Sequence, residues 1–132
     1  VCDDKPEMIT EAIHKMLDKG MDMIICTGGM SVDPDDRTPL AIKNVAEDIV
    51  TYGAPVLPGA MFMLAYYNGD IPVMGLPGCV MYAKRTIFDL VLPRVLCNEK
   101  LKAEDLSRLG QGGLCLSCPT CTFPNCGFGK GA

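Results

Sequence analysis

Long apolar runs are missing from this 132-residue sequence: Gly, Pro or a charge interrupts each one well before the roughly 18–20 residues that a membrane span requires. No membrane partner is expected. A basic segment followed by an apolar one is missing from the start, so no secretory signal is expected in what is given. Positive charge is scarce, with 12 Lys and Arg against 16 Asp and Glu and a net charge of −4. Binding along a phosphate backbone needs a basic stripe, which excludes nucleic acid as a broad partner and points to a small ligand. Histidine occurs once, as His14, with no partner residue nearby in sequence, and is assigned a structural or exposed place. The chain also opens on Val1-Cys2-Asp3-Asp4 rather than Met and reads as a piece of something longer.

What is present is globular. Hydrophobic residues make up 48% and charged residues 21%, a composition that forms a core, and the length suits about one domain. Eight cysteines would suggest a disulfide scaffold in a short secreted chain, but Cys26, Cys79 and Cys97 lie in apolar segments while four others crowd the last twenty residues. That split favours a reducing, cytoplasmic setting.

Asp4-Lys5-Pro6-Glu7 predicts a helix start, with Asp4 as cap and Pro6 in the first turn. Met8, Ile9, Ala12, Ile13, Met16 and Leu17 follow at helical spacing, and Gly20 is the stop. Met21 to Thr27 is a mostly apolar run ending in Gly28-Gly29, as expected for a strand buried on both faces. Thr38-Pro39 predicts a second helix, with Leu40, Ile42, Val45, Ala46, Ile49 and Val50 inward and a stop at Gly53. Ala54 to Gly59, with two prolines, reads as an extended connector. Met61 to Tyr67 and Ile71 to Gly75 predict a hairpin about Asn68-Gly69-Asp70. A long helix follows Leu76-Pro77-Gly78, with Val80, Ala83, Ile87, Val91 and Val95 on one side and a kink or break at Pro93. The order predicts an α/β fold, a three-layer sheet with helices on both faces, over residues 1–109. Residues 110–132 form a separate Cys-rich tail with little to pack.

Two glycine loops, Thr27-Gly28-Gly29 and Leu76-Pro77-Gly78, each follow a predicted strand and precede a helix. Glycine lets backbone N–H groups approach an anion, and a helix N-terminus adds favourable partial charge. Between the first loop and the second helix lies Asp33-Pro34-Asp35-Asp36-Arg37, where carboxylates beside a phosphate loop suit a hard cation such as Mg²⁺, or else form an ordinary solvated turn.

The run Thr27-Gly28-Gly29-Met30-Ser31-Val32-Asp33-Pro34-Asp35-Asp36-Arg37-Thr38-Pro39 resembles the signature of the molybdenum-cofactor biosynthesis domain. Leu76-Pro77-Gly78 resembles that family's second motif. Gly-Gly-x-Ser-Val and Pro72-Val73-Met74-Gly75-Leu76-Pro77-Gly78 are similar to the molybdopterin molybdenumtransferase branch, and Asp-x-Thr-Pro to the adenylyltransferase branch. The resemblance spans about Cys2 to Leu96. It implies that Thr27, Gly28, Gly29, Ser31, Leu76, Pro77 and Gly78 bind molybdopterin or its adenylylated form. It also implies that Asp36 is the acidic catalytic residue and Mg²⁺ ligand, for adenylyl transfer involving a nucleotide or for molybdate insertion, in a trimer. A non-catalytic pterin carrier or redox and metal sensor would show the same loops. Cys79-Val80-Met81-Tyr82 departs from the family's small polar residue, proline and serine, so backbone contacts are the ones expected there. Cys79 is either a low-pKa thiolate at a helix start or a small buried side chain. The family's opening strand, helix and strand are not in this sequence, which leaves an open sheet edge as an expectation.

Cys115, Cys118, Cys121 and Cys126 place four thiols in twelve residues among Gly and Pro. Such spacing suits Zn²⁺ or an iron–sulfur cluster, with paired disulfides or a disordered tail as the alternatives.

Overall fold

The computed structural model describes residues 1–31 and 33–131. Helix α1 (Pro6–Asp18) packs beside α2 (Thr38–Val45), and between them in sequence lies strand β1 (Ile24–Thr27). Strands β2 (Asp48–Tyr52), β3 (Met63–Tyr67) and β4 (Ile71–Leu76) follow, then a 3₁₀ turn (Gly78–Met81), α3 (Ile87–Leu96), α4 (Ala103–Ser107) and a second 3₁₀ turn (Arg108–Gly112). The sheet runs β1-β4-β3-β2; β1 is parallel to β4, and the other pairs are antiparallel.

Alternation along the central strands divides the core between two faces, because successive strand side chains point to opposite sides. Met63, Ala65 and Val73 join Ile13, Ile24, Ile42 and Val45 on the α1/α2 side. Leu64, Tyr66, Met74 and Leu76 join Ile87, Val91, Val95, Leu101 and Leu106 on the other. Helices therefore cover both faces and the fold has three layers, as the sequence order predicts. The hairpin also forms where expected: Asn68 and Gly69 take φ of 54° and 78°, the left-handed conformation that Asn-Gly accepts most readily.

Four local expectations are corrected. The cap of α1 is Lys5 and no side chain caps it, while the Asp4 amide donates instead to Asp3 Oδ1 at 2.8 Å. β1 is buried on one side only, since Ile24 is 7% exposed and Ile25 43%; it has a sheet neighbour on one flank among the described residues. The second helix stops at Val45, with Arg37 as its cap, and Ile49 and Val50 belong to β2. These β-branched residues with Thr51 and Tyr52 suit a pleated surface better than a helix end. Finally, the long helix is two pieces. Thr86 caps α3, accepting from the Phe88 amide at 3.2 Å while Asp89 accepts from the Thr86 amide at 2.8 Å, and this capping box starts the helix afresh after Met81. Pro93 lies inside α3, which continues to Leu96.

The connector and the Cys-rich segment meet. The Leu57 amide donates to Gly113 C=O at 2.6 Å and the Cys115 amide to Leu57 C=O at 2.9 Å, pairing Leu57 with Leu114. Phe128 is 5% exposed within the α3/α4 core, with the Phe123 ring 6.2 Å away. No helix among the described residues is long and apolar enough to cross a membrane.

Candidate functional site

The two glycine motifs are brought together by one pairing. Parallel β1 and β4 align Thr27 with Leu76, so the loops at 27–29 and 76–78 leave neighbouring strands at the same carboxyl edge. In open α/β sheets this edge is where ligands bind. Thr27, Gly28 and Gly78 are exposed there, Gly29 is half-buried, and Leu76 and Pro77 are buried beneath.

The first loop is held by residues beyond its motif. Gly28 and Gly29 both take positive φ, 85° and 65°, and a Cβ on Gly29 would stand 2.7 Å from Thr38 Oγ1. Glycine is required there for conformation and for space. The buried Thr38 hydroxyl donates to Gly28 C=O at 2.8 Å, and its amide donates to Gly29 C=O at 3.2 Å. Thr38 thus ties the carbonyl side of the loop to the start of α2. Met30 is 2% exposed and packs under the loop against Gly75 of β4, where a side chain would collide with it. Tyr52, at the end of β2, donates its hydroxyl to Met30 C=O at 2.9 Å. Burial and the nearby Asp36 charge push the Tyr52 phenol up from its ordinary value, which keeps it a donor.

Asp36 faces this loop. Its Oδ2 accepts from the Ser31 amide at 3.0 Å and from the Ser31 hydroxyl. The Asp36 amide donates to Asp33 C=O at 2.9 Å, closing the acidic segment into a turn. Both described hydrogen bonds to the Asp36 carboxylate land on Oδ2. Mg²⁺ is commonly held by one or two carboxylates together with substrate phosphates, and Asp36 is the carboxylate beside this loop that would serve. Asp33 and Asp35 are exposed, and Val32 of the first motif lies outside the described residues.

After the second loop, Cys79 and Val80 are half-buried, and Met81 and Tyr82 are 82% and 83% exposed. Burial raises the Cys79 thiol above its ordinary value, so the thiolate expectation is set aside for the neutral thiol. Thr38 and Tyr52 were not singled out as site residues by sequence. Thr38 reads as a helix cap, and Tyr52 carries no signal because its reach to Met30 depends on sheet order.

The four tail cysteines are free, Cys115 and Cys126 half-buried and Cys118 and Cys121 exposed. All four line one cavity of about 430 Å³, together with Pro58, Tyr82, Lys84, Arg85 and Phe123. Among the described residues, no three His, Cys, Asp or Glu side chains gather tightly enough to hold a single metal ion.

Residues 1–96 match the family described as "Probable molybdopterin binding domain". Among solved structures, the molybdopterin biosynthesis enzyme MoaB from Thermus thermophilus is similar in fold. It shares 23% identity with a TM-score of 0.58, and the match covers 75% of this chain and 71% of that one. A search of curated proteins finds no significant match.

Proposed function

This chain belongs to the molybdopterin-binding domain family, and from that premise we propose that it binds molybdopterin or its adenylylated form across the two glycine loops during molybdenum-cofactor assembly. The observation that carries the reading is the register of β1 against β4, which sets Thr27-Gly28-Gly29 beside Leu76-Pro77-Gly78. Backbone amides of the exposed loops receive the pterin phosphate, and Thr38 keeps the first loop in its glycine-only conformation.

Asp36 is the acidic residue of the reaction. Held by Ser31 through Oδ2, it is the residue that would hold Mg²⁺, which would supply charge neutralisation to the reacting phosphate. In adenylyl transfer, the pterin phosphate attacks the α-phosphorus of ATP and pyrophosphate leaves. In molybdate insertion, the adenylylated pterin takes up the metal and AMP leaves. The Gly-Gly-x-Ser-Val and Pro-Val-x-Gly-Leu-Pro-Gly runs favour insertion. Assembly as a trimer belongs to the same reading, as does a tail whose four thiolates take Zn²⁺ or an iron–sulfur cluster.

Binding of purified molybdopterin and its adenylylated form, followed with ATP turnover and molybdate-dependent AMP release, tests the proposal. Asp36→Asn is expected to abolish turnover and leave pterin binding within a few-fold; unchanged turnover would remove Asp36 from the reaction. One observation favours a carrier or sensor that binds without turnover. The turn after the second loop offers Cys79, Val80, Met81 and Tyr82, a set short of hydroxyl and amide donors for a reacting phosphate. Pterin binding without release of AMP or pyrophosphate would establish that alternative.

A further inference from the structure

We propose that Cys115, Cys118, Cys121 and Cys126 hold an iron–sulfur cluster, and not a zinc ion, in the cavity they share with Tyr82, Lys84 and Arg85. This rests on the reading of the tail as a thiolate ligand set and chooses between its two occupants.

The size of the space decides first. A structural zinc site is closed, with Zn–S distances of about 2.3 Å that bring four sulfurs to within about 4 Å of one another. Here the four thiols line the wall of a cavity of about 430 Å³. That volume is more than ten times the ~30 Å³ share of a water molecule. A cluster interposes its own iron and sulfide between the cysteine sulfurs, so its ligands stand around a volume and not around a point.

The walls suit such an occupant. Leu114, Leu116 and Phe123 give the lining apolar surface beside the cysteines. A thiolate-bound cluster carries net negative charge, and Lys84 and Arg85 are on the same wall. The Arg85 guanidinium stands 4.9 Å over the Phe123 ring, and its Nε–H is buried without a hydrogen-bond partner. A buried donor left unpaired is costly, and an anionic sulfur in the cavity would satisfy it.

The backbone is also arranged for it. Pairing of Leu57 with Leu114 fixes the chain just before Cys115, and burial of Phe128 fixes it just after Cys126. All four thiols lie between these two anchors. Loading by transfer of an assembled cluster needs no redox change: four thiols release their protons to solvent, and their thiolates replace those of the donor at the iron atoms.

The full chain, produced with iron and purified without oxygen, is assayed for iron, acid-labile sulfide and zinc, with visible and electron paramagnetic resonance spectra. The expected result is a brown protein with iron and labile sulfide in equal amounts. Cys118→Ser and Cys121→Ser alter exposed residues, and each should lose most of the iron while the far-ultraviolet circular dichroism stays unchanged. Cys97→Ser, outside the cavity, should keep it. A colourless protein with stoichiometric zinc would overturn the cluster and leave the thiolate reading standing. Failure to take up any metal, even after anaerobic incubation with ferrous iron, sulfide and a thiol reductant, would overturn both. Full iron content in both exposed-cysteine variants would also overturn the proposal.

Discussion

Replacing Gly75 with Ala tests whether β4 supports the first glycine loop from beneath. A Cβ at this position would overlap Met30 Sδ and Cε and approach Ile42 Cδ1 to 3.2 Å. Met30 is flexible, but it is 2% exposed and Ile42 fully buried, so neither has free space to move into. Overpacking of this kind costs about 1–3 kcal/mol, and the adaptability of methionine places this case at about 1–2. At this chain length, each kcal/mol lowers Tm by about 3–5 °C, so a fall of roughly 3–10 °C is expected. Met30→Ala alone should cost about 2–5 kcal/mol through the cavity it leaves. In the double variant the methyl added at position 75 occupies part of that cavity, and the added cost of Gly75→Ala should vanish. Urea denaturation of the wild type, both single variants and the double variant measures the cycle, and pterin affinity of Gly75→Ala reports whether displaced Met30 moves the loop. If Gly75→Ala costs the same with and without Met30, to within about 0.5 kcal/mol, the contact does not support the loop as argued.

Other expectations follow from single contacts. Thr38→Val removes the hydroxyl that holds Gly28 C=O and should cost about 1 kcal/mol of stability together with a loss of pterin affinity. Thr38→Ser keeps the hydroxyl and should recover the affinity, and equal affinities in the two variants would dismiss the tether. Burial, with a smaller contribution from Cys2, raises the Cys26 thiol from 9.0 to about 11. The fold therefore favours the neutral thiol. Its contribution is complete below about pH 9 and disappears as pH rises toward 11. Stability of the wild type relative to Cys26→Ala should decline across that window, and a flat difference would show that the thiol is not buried as described. Cys26 should also alkylate more slowly at neutral pH than the exposed Cys97.

The sequence made the three-layer fold legible where one element carries its own signal. The amphipathic face from Ile9 to Leu17, the apolar run at Ile24 to Thr27 and Asn68-Gly69 each specify a local geometry. Helical periodicity misled at Ile49 and Val50, because two apolar residues continue a helix pattern or open a strand equally well until the β-branched run to Tyr52 is weighed. Thr86-x-x-Asp89 is a capping box visible in the sequence, but the apolar spacing from Val80 to Val95 obscured it. The site motifs could be read individually. Their adjacency could not, since it depends on β4 inserting beside β1 after the chain has passed through β2 and β3. The support from Thr38 and Tyr52, and the wall that Arg85 gives to the cysteines, arise for the same reason from partners distant in sequence.

Burial of Phe128 also sets an order of events during synthesis. The α1/α2 side of the core draws on residues no later than Val73, so it can close as soon as β4 has emerged. The α3/α4 side includes Phe128 and must wait for roughly fifty further residues. At about 5–20 residues per second, that side stays open to solvent and chaperones for several seconds on the ribosome. Stalled chains ending before and after residue 128 should differ in proteolysis at Val91 and Val95, and in little on the opposite face.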